Sequence, residues 1–230
     1  MYQPNDSKRQ ISEDTATRHE AGLPESGFVF CSFVSPYKIV PRVFDSWMSI
    51  LAKVEGSVLW LLEGNADAVR NLRRSAEIRG IAANRLVFAP RMKLEHHLAR
   101  HCLADLFLDT LPINAHTTAS DALWAGVPIV TCLGSSFAGR VAGSLLKASG
   151  LTELIVENRE DYEALAVHLA RDLDRLAAIR AKLARNRATQ PLFDADRLRR
   201  HIESAYETMS ERRQRGEPPV SFSVAPCDRS

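Results

Sequence analysis

Short apolar runs alternate with segments of helical periodicity along most of the chain. The runs are rich in aliphatic and aromatic residues, as in strands buried on both faces. After Pro41, which suits the first turn of a helix, Phe44, Trp47 and Leu51 share one helical face. The predicted strands cover 28–33, 57–62, 85–89, 105–109, 128–132 and 153–156.

Helices are predicted between these strands. Asn65 is a suitable N-cap for a helix that ends at Gly80, residues 93–102 form a second helix, and Gly126 ends a third that begins at Thr117. Beyond the last strand, two apolar stripes predict further helices. The first stripe is Tyr162, Leu165, Ala166, Leu169, Leu173 and Leu176, and the second is Leu198, Ile202, Ala205, Tyr206 and Met209.

Strands that alternate with helices of this length predict parallel βαβ units. The expected fold class is α/β, a doubly wound, Rossmann-like parallel sheet with additional C-terminal helices. Residues 27–210 would form this domain, residues 1–26 a linker or extended arm, and residues 211–230 a loose tail in which Val220 and Phe222 could dock.

Composition narrows the function classes. The 230 residues are 45% hydrophobic, enough for one sizeable core, and the net charge of +2 gives no reason to expect nucleic acid as a partner. A polar N-terminus argues against a signal peptide, and no apolar run approaches the ~20 residues of a membrane span. The cysteines have no C-x-x-C spacing, which favours reduced thiols and a cytoplasmic protein. They are Cys31, Cys102, Cys132 and Cys227.

The loop after the fourth strand leads into a helix with hydroxyl side chains at its N-terminus. Unpaired amides and the positive end of the helix dipole at such a position can hold a phosphate. Thr117 and Thr118 would add hydroxyl donors, His116 a ring N–H, and Asp121 an acceptor for a ribose hydroxyl. The alternative is a threonine N-cap with an incidental histidine.

Two other loops follow strands that would end at the same edge of the sheet. The loop after strand one contains Ser35 and Lys38, and this lysine could neutralise a diphosphate or be an ordinary solvated charge. In the loop after strand three, His97 and Arg100 share a helical face where a base would lie. His97 and His101 also have a metal-ligand spacing, but the pattern lacks further ligands, so we expect no metal.

Two further motifs bear on cofactors and metals. The chain has no G-x-G-x-x-G sequence after a predicted strand, so we expect no dinucleotide cofactor and regard a nucleotide-sugar epimerase as a poor alternative. Asp172 and Asp174 form a D-x-D sequence, but they fall within a helical stripe where such residues do not face each other. We interpret them as solvent-exposed charges.

Together these loops resemble the O-GlcNAc transferase and SPINDLY-like glycosyltransferases. Residues 30–39 read FCSFVSPYKI and are similar to that family's F-C-x-F-N-x-x-Y-K-I. Leu108-Asp109-Thr110, then Asn114-x-His116-Thr117-Thr118, Asp121 and Leu123-Trp124-Ala125-Gly126 resemble its most diagnostic stretch. The similarity continues at Gly139-Arg140-Val141-Ala142 and Pro191-Leu192-Phe193 and covers about residues 2–210.

The resemblance implies the C-terminal lobe of a two-lobed GT-B enzyme that follows tetratricopeptide repeats. Such enzymes transfer GlcNAc from UDP-GlcNAc to protein Ser or Thr with inversion and without metal, so the donor substrate is the expected ligand and no cofactor is needed. It places Lys38 and His116 as catalytic candidates. The implied nucleotide-sugar-binding residues are Ser35, Lys38, Met92, His97, Arg100, His116, Thr117, Thr118 and Asp121.

Two departures from the family leave alternatives open. Val34 stands where the family usually has Asn, and residues 2–6 (YQPND) resemble the join between the two lobes. We therefore expect either half of an enzyme whose repeats and N-terminal lobe come from another or an upstream chain, or an inactive nucleotide-sugar-binding remnant. The nucleotide sugar could also be a different one, such as GDP-fucose.

Overall fold

A computed structural model describes residues 5–226, in which six parallel strands form one sheet. Residues 2–4 of the expected join and Cys227 lie outside the described residues. The strand order is β3-β2-β1-β4-β5-β6. The strands are β1 (Val29–Ser32), β2 (Val58–Leu62), β3 (Leu86–Ala89), β4 (Leu106–Leu108), β5 (Ile129–Cys132) and β6 (Ile155–Val156).

Helices connect consecutive strands and extend the chain beyond β6. The one described peptide bond in the cis conformation joins Leu111 to Pro112, in the loop after β4. Among the described residues no helix is both long enough and apolar enough to cross a bilayer. The helices are α1 (Pro41–Lys53), α2 (Ala66–Ile78), α3 (Leu94–Ala99), α4 (Thr117–Trp124), α5 (Val141–Ala148), α6 (Arg159–Arg171), α7 (Leu173–Thr189) and α8 (Ala195–Gln214).

The predicted doubly wound α/β fold is confirmed, and its central strands explain why. Every residue of β1, β4 and β5 is buried, as expected for strands covered on both faces by helices. β1 pairs with β2 on one side and with β4 on the other, so the chain reverses its direction of winding between β1 and β4. The carboxyl ends of strands at such a switch point form a crevice in which ligands bind.

The local signals at the helix ends are also confirmed. The Asn65 side chain accepts a hydrogen bond from the Ala68 amide, 2.8 Å away, at the start of α2. Gly80 and Gly126 follow their helices with φ of +77° and +90°. Only glycine adopts such φ values without a steric penalty, so both positions stop helices as the sequence indicated.

The first C-terminal stripe divides between two helices instead of forming one. Asp172 leaves the helical conformation, and its side chain accepts from the Arg175 amide as the N-cap of α7. Leu173 is consequently 63% exposed, whereas Leu176 is buried. Asp172 thus has a capping role, and the predicted continuous face through Leu173 is wrong because an aspartate favours a cap over a helix interior.

Two other features differ from the expected pattern. α5 lies between β5 and β6, where the sequence analysis assigned no helix. On α8 no residue is buried, and Ile202, Tyr206 and Met209 are exposed although they share one face. The helix also continues to Gln214, beyond the position at which the tail was expected to begin.

The segment before β1 packs closely on the domain although residues 5–26 contain no helix or strand. Asn5 and Leu23 are buried, and the Asn5 side chain donates to the Leu192 carbonyl over 3.3 Å. Between them the Ser12 amide donates to the Glu95 carbonyl over 3.2 Å. This segment, called the arm below, therefore contributes contacts to the folded lobe. At the other end of the chain, Val220 and Phe222 remain exposed.

Candidate functional site

Asp109 organises the loop between β4 and α4. Its side chain is buried at the end of β4, where Oδ1 accepts from the amides of Thr110 (2.7 Å) and Ala115 (2.6 Å). Oδ2 accepts from the Thr131 hydroxyl on β5 at 2.6 Å. Burial raises the pKa of Asp109 to about 7, although these bonds and the charge of Lys38 act to lower it. The carboxyl group thus bends the loop back and fixes where α4 begins.

Asn114 holds the same loop from within. Its side-chain amide donates to the Thr110 carbonyl over 2.9 Å, and the Thr110 hydroxyl donates to the Ile113 carbonyl over 2.7 Å. These bonds turn the Asn114 carbonyl toward β1, where it accepts a hydrogen bond from Lys38. A loop of fixed shape therefore connects Asp109 to the N-terminus of α4.

Lys38 lies at this N-terminus. It ends a short 3-10 turn (Pro36–Lys38) that Ser35 precedes, and its Nζ donates to the Asn114 carbonyl over 2.7 Å. The side chain is half-buried, so desolvation lowers the pKa of Lys38 while the nearby Asp109 raises it. An ammonium group has three donors, so two stay available to a ligand beside the helix end. The sequence predicted this meeting of the two loops.

His116 is the N-cap of α4, and its ring contacts a neighbouring loop. Nε2 lies 3.2 Å from the Ala138 carbonyl, which can only accept, so the ring N–H belongs to that contact. The predicted donation to a phosphate requires the imidazolium form. Thr117 is exposed and Thr118 is partly exposed, so both hydroxyls can reach a ligand.

The region where the sequence analysis expected a base is built around Arg100, which follows α3 in a 3-10 turn (Arg100–Leu103) because α3 ends at Ala99. Its buried guanidinium lies 4.6 Å from the Phe33 ring centre and donates to the Pro90 carbonyl over 2.7 Å. Burial lowers the pKa of Arg100 to about 10. This side chain therefore supports the site from inside the protein.

His97 is held by Arg100 and can face a ligand. The guanidinium contacts Nδ1 of His97, and since guanidinium has no acceptor, Nδ1 must accept. Burial, together with His101 and Arg100, lowers the pKa of His97 to about 3, so the ring is neutral and its proton is on Nε2. His97 therefore offers one N–H donor. Met92, in the segment between β3 and α3, is 43% exposed.

His101 has a structural role in the interior of the lobe. Its Nδ1 donates to the His97 carbonyl over 2.7 Å, and its ring is buried 5.0 Å from the Phe33 ring. Burial lowers the pKa of His101 to about 4. Within residues 5–226 no group of three or more His, Cys, Asp or Glu side chains is arranged to hold a metal ion.

Asp121, in α4, is buried and forms an ion pair with Arg9 of the arm. Burial raises the pKa of Asp121, and Arg9 opposes that shift. The arm is fixed here by the Trp124 indole, which donates to the Arg9 carbonyl over 3.1 Å. The sequence analysis missed Arg9 because a cation in a polar N-terminal segment carries no signal of its distant partner.

The structure thus assembles the predicted residues in two adjoining groups. Lys38, Asn114 and the N-terminus of α4 form a cationic cradle at the switch point between β1 and β4. His97 and Arg100 form the second group, which Phe33 joins to the end of β1. Val34, the departure noted in the sequence, is buried and has no polar side-chain atom. The predicted ligand contacts themselves stay predictions.

Comparison with protein families gives a match over most of the chain. The model of glycosyl transferase family 41 matches residues 6–202. A probable UDP-N-acetylglucosamine–peptide N-acetylglucosaminyltransferase SEC of Arabidopsis thaliana is 39% identical over 212 residues, which are 92% of this chain and 22% of that protein. The corresponding transferase of Caenorhabditis elegans is 39% identical over 88% of this chain and 18% of its own length. The chain therefore spans about a fifth of these relatives.

Solved structures agree with this match. A mutant of Thermobaculum terrenum O-GlcNAc transferase superposes with a TM-score of 0.74 at 35% identity, over 80% of this chain and 36% of that one. Anabaena HepE, solved in complex with UDP and glucose, has a TM-score of 0.57 at 18% identity, over 84% of this chain and 51% of its own. At that identity the second likeness concerns the fold alone, which is that of a GT-B glycosyltransferase lobe.

Proposed function

Because this chain belongs to glycosyl transferase family 41, we propose that it forms the donor-binding lobe of a protein O-GlcNAc transferase. The donor would be UDP-GlcNAc and the acceptor a Ser or Thr hydroxyl of a protein. The observation that carries the proposal is the contact between Lys38 and Asn114, which brings an ammonium group to the N-terminus of α4. A cation beside unpaired helix amides matches the charge of a nucleoside diphosphate.

The diphosphate lies in this cradle. Lys38 contributes two N–H donors, and Thr117 and Thr118 contribute hydroxyls together with the amides of the first helical turn. As the acceptor oxygen bonds to the anomeric carbon, the bond from that carbon to the phosphate oxygen breaks and negative charge moves onto UDP. Lys38 and the helix dipole stabilise this charge where it develops, which lowers the barrier to transfer.

The nucleoside end lies along α3 and α4. Nε2–H of His97 donates to the base, the segment at Met92 borders it, and Asp121 accepts from the ribose. Ser35 lies next to Lys38 at the diphosphate. The His116 ring, held at Ala138, donates to the leaving group only in its imidazolium form. Every one of these proposed contacts comes from protein atoms, and we assign no metal to donor binding.

We assign the acceptor groove and the base that takes the hydroxyl proton to protein outside residues 5–226. An upstream part of the polypeptide or a separate chain would supply them, because the relatives contain much more protein than this lobe. Orienting the acceptor can lower the barrier by ~7–11 kcal/mol. The 230-residue chain by itself should therefore bind donor but transfer no GlcNAc to a peptide.

Titration calorimetry of the wild type and the Lys38→Ala variant with UDP and with uridine tests the assignment. The charge-assisted contact predicts that UDP binds about ten- to a hundredfold more weakly to Lys38→Ala, while uridine affinity changes less than about twofold. Lys147→Ala, on the exposed surface of α5, is the matched control and should leave both affinities unchanged.

Three results would contradict the proposal. Equal losses of UDP and uridine would remove Lys38 from the diphosphate site. Binding of UDP only when Mn²⁺ or Mg²⁺ is present, with none in EDTA, would refute metal-independent binding. Tighter binding of GDP than of UDP would assign the lobe to a different nucleotide sugar.

A further inference from the structure

The arm reaches the proposed donor site through a single side chain. Arg9 Nη1 forms the ion pair with Oδ1 of Asp121, one turn into α4. The same guanidinium lies 5.9 Å from the centre of the Trp124 ring. Arg9 is therefore in contact with both the middle and the end of the helix whose N-terminus forms the phosphate cradle.

The backbone of Arg9 is fixed as firmly as its side chain. The Trp124 indole donates to the Arg9 carbonyl over 3.1 Å, and Arg187 holds the Trp124 ring from α7, with its guanidinium 4.9 Å from the ring centre. Four residues before Arg9, the buried Asn5 donates to the Leu192 carbonyl. These contacts leave the Arg9 guanidinium little freedom to move relative to α4.

The ion pair leaves one oxygen of Asp121 for a ligand. Within residues 5–226, Oδ1 is bound to Arg9 and no hydrogen bond is made to Oδ2. The carboxylate has two acceptor oxygens, and the contact with Arg9 occupies only Oδ1. A carboxylate held in this way is ready to accept from a hydroxyl group.

Arg9 also keeps the group in its accepting form. Asp121 is buried, and burial without a cation favours a protonated carboxyl, which would offer a donor in place of an acceptor. The guanidinium is always charged and weakly hydrated, which makes it suited to a buried pair of this kind.

We propose that Arg9 is a positioning residue for the ribose of the nucleotide sugar, acting through Asp121. The inference rests on the proposed function, since it assumes that a nucleoside diphosphate lies along α4. It makes the arm part of the donor site. The arm would thereby set the preference of the lobe for a ligand with ribose hydroxyls over one without them.

The test compares UDP with 2′,3′-dideoxy-UDP by titration calorimetry of the 230-residue chain. The wild type should bind UDP at least about tenfold more tightly, because the analogue leaves the Asp121 carboxylate without its hydroxyl partner. Arg9→Met should weaken UDP binding and leave binding of the analogue nearly unchanged. The ratio of the affinity for UDP to the affinity for the analogue should then fall below about threefold. Arg9→Lys keeps the charge and should recover part of the wild-type preference for UDP over the analogue.

Arg18→Met is the matched control within the arm. Arg18 contacts Asp105 at 3.6 Å and the Gly27 carbonyl at 2.9 Å, both at the start of a strand and away from Asp121. This variant should keep the wild-type ratio of the two affinities, because the contacts of Arg9 with Asp121 and Trp124 are unchanged. A purely structural role of Arg9 would instead lower both affinities equally.

The outcomes separate this inference from the proposed function. If the wild type binds no UDP, the proposed function is wrong and the inference fails with it. If the wild type prefers UDP and both Arg9 variants keep that preference in full, the donor site stands and only the role of Arg9 is refuted.

Discussion

His101, which is buried, and His97, which is partly buried beside it, should make the lobe sensitive to acid. Burial lowers the pKa of His101 to about 4, and an unfolded chain binds a proton at the same residue near 6.5. Between about pH 6.5 and pH 4 the unfolded chain binds a proton at this residue, whereas the folded lobe does not. The contribution of neutral His101 to the free energy of unfolding is therefore complete above about pH 6.5 and is lost as the pH falls toward 4.

The structure sets the size of this effect. Two titration curves with pKa values of about 6.5 and 4 differ by about 2 kcal/mol between pH 7.5 and pH 5, and this is the contribution of His101 alone. His97 adds a loss of the same sign, since its pKa is also lowered. Burial raises the pKa of Asp109 to about 7, so this residue acts in the opposite direction over the same range.

The perturbation that isolates His101 is His101→Phe, which keeps a ring against Phe33. Urea unfolding followed by tryptophan fluorescence at the two pH values gives the free energy of unfolding. The difference between the two pH values should be about 2 kcal/mol smaller in the variant than in the wild type. His19→Gln, an exposed residue of the arm, should retain the full wild-type difference.

One result would refute the reasoning. If His101→Phe loses as much stability on acidification as the wild type, His101 is not held neutral by its surroundings. The absolute stability of the variant does not decide the matter, because the lost bond to the His97 carbonyl lowers it at both pH values.

Two further predictions concern the loop after β4 and the turn before β1. Asp109→Ala leaves three buried donors without a partner and should lower the free energy of unfolding in urea by about 3 kcal/mol or more. Thr131→Val should lower it by about 1–2 kcal/mol. A smaller loss in Asp109→Ala than in Thr131→Val would contradict the role of the carboxyl group. Gly27 has φ of +106° and a Cβ there would lie 2.4 Å from the Gly56 carbonyl oxygen. Gly27→Ala should therefore cost about 2 kcal/mol or more, whereas Gly56→Ala, which has open space, should cost about 1 kcal/mol; equal melting curves would contradict this.

The pattern of the chain was sufficient for the sheet and for most helix ends. Strands buried on both faces are nearly continuous apolar runs, so β1 and β5 were predicted to within two residues at each end. Asn65 and Gly80 act through local chemistry that a sequence displays directly. The start of α4 could be anticipated for the same reason, since Thr117 begins a helix after the loop that follows β4.

Other features depend on contacts that a local pattern does not contain. Apolar residues at helical spacing indicate a helix but do not show what covers it, and on α8 the shared face of Ile202 and Tyr206 stays exposed in the described residues. Asp172 looks like an interior residue until its side chain is seen to cap α7. The pairing of Arg9 with Asp121 joins residues 112 positions apart, which no periodicity indicates.

Two buried carboxyl groups connect the parts of the proposed donor site. Asp109 fixes the loop that enters α4 and, through Asn114, the position of Lys38. Asp121 connects the same helix to the arm through Arg9. Contacts within the protein thus hold Lys38 and Asp121 in position, and a ligand loses less free energy in ordering the protein when such contacts are already formed. Preorganisation of this kind also requires that the arm stay folded on the lobe whenever donor binds.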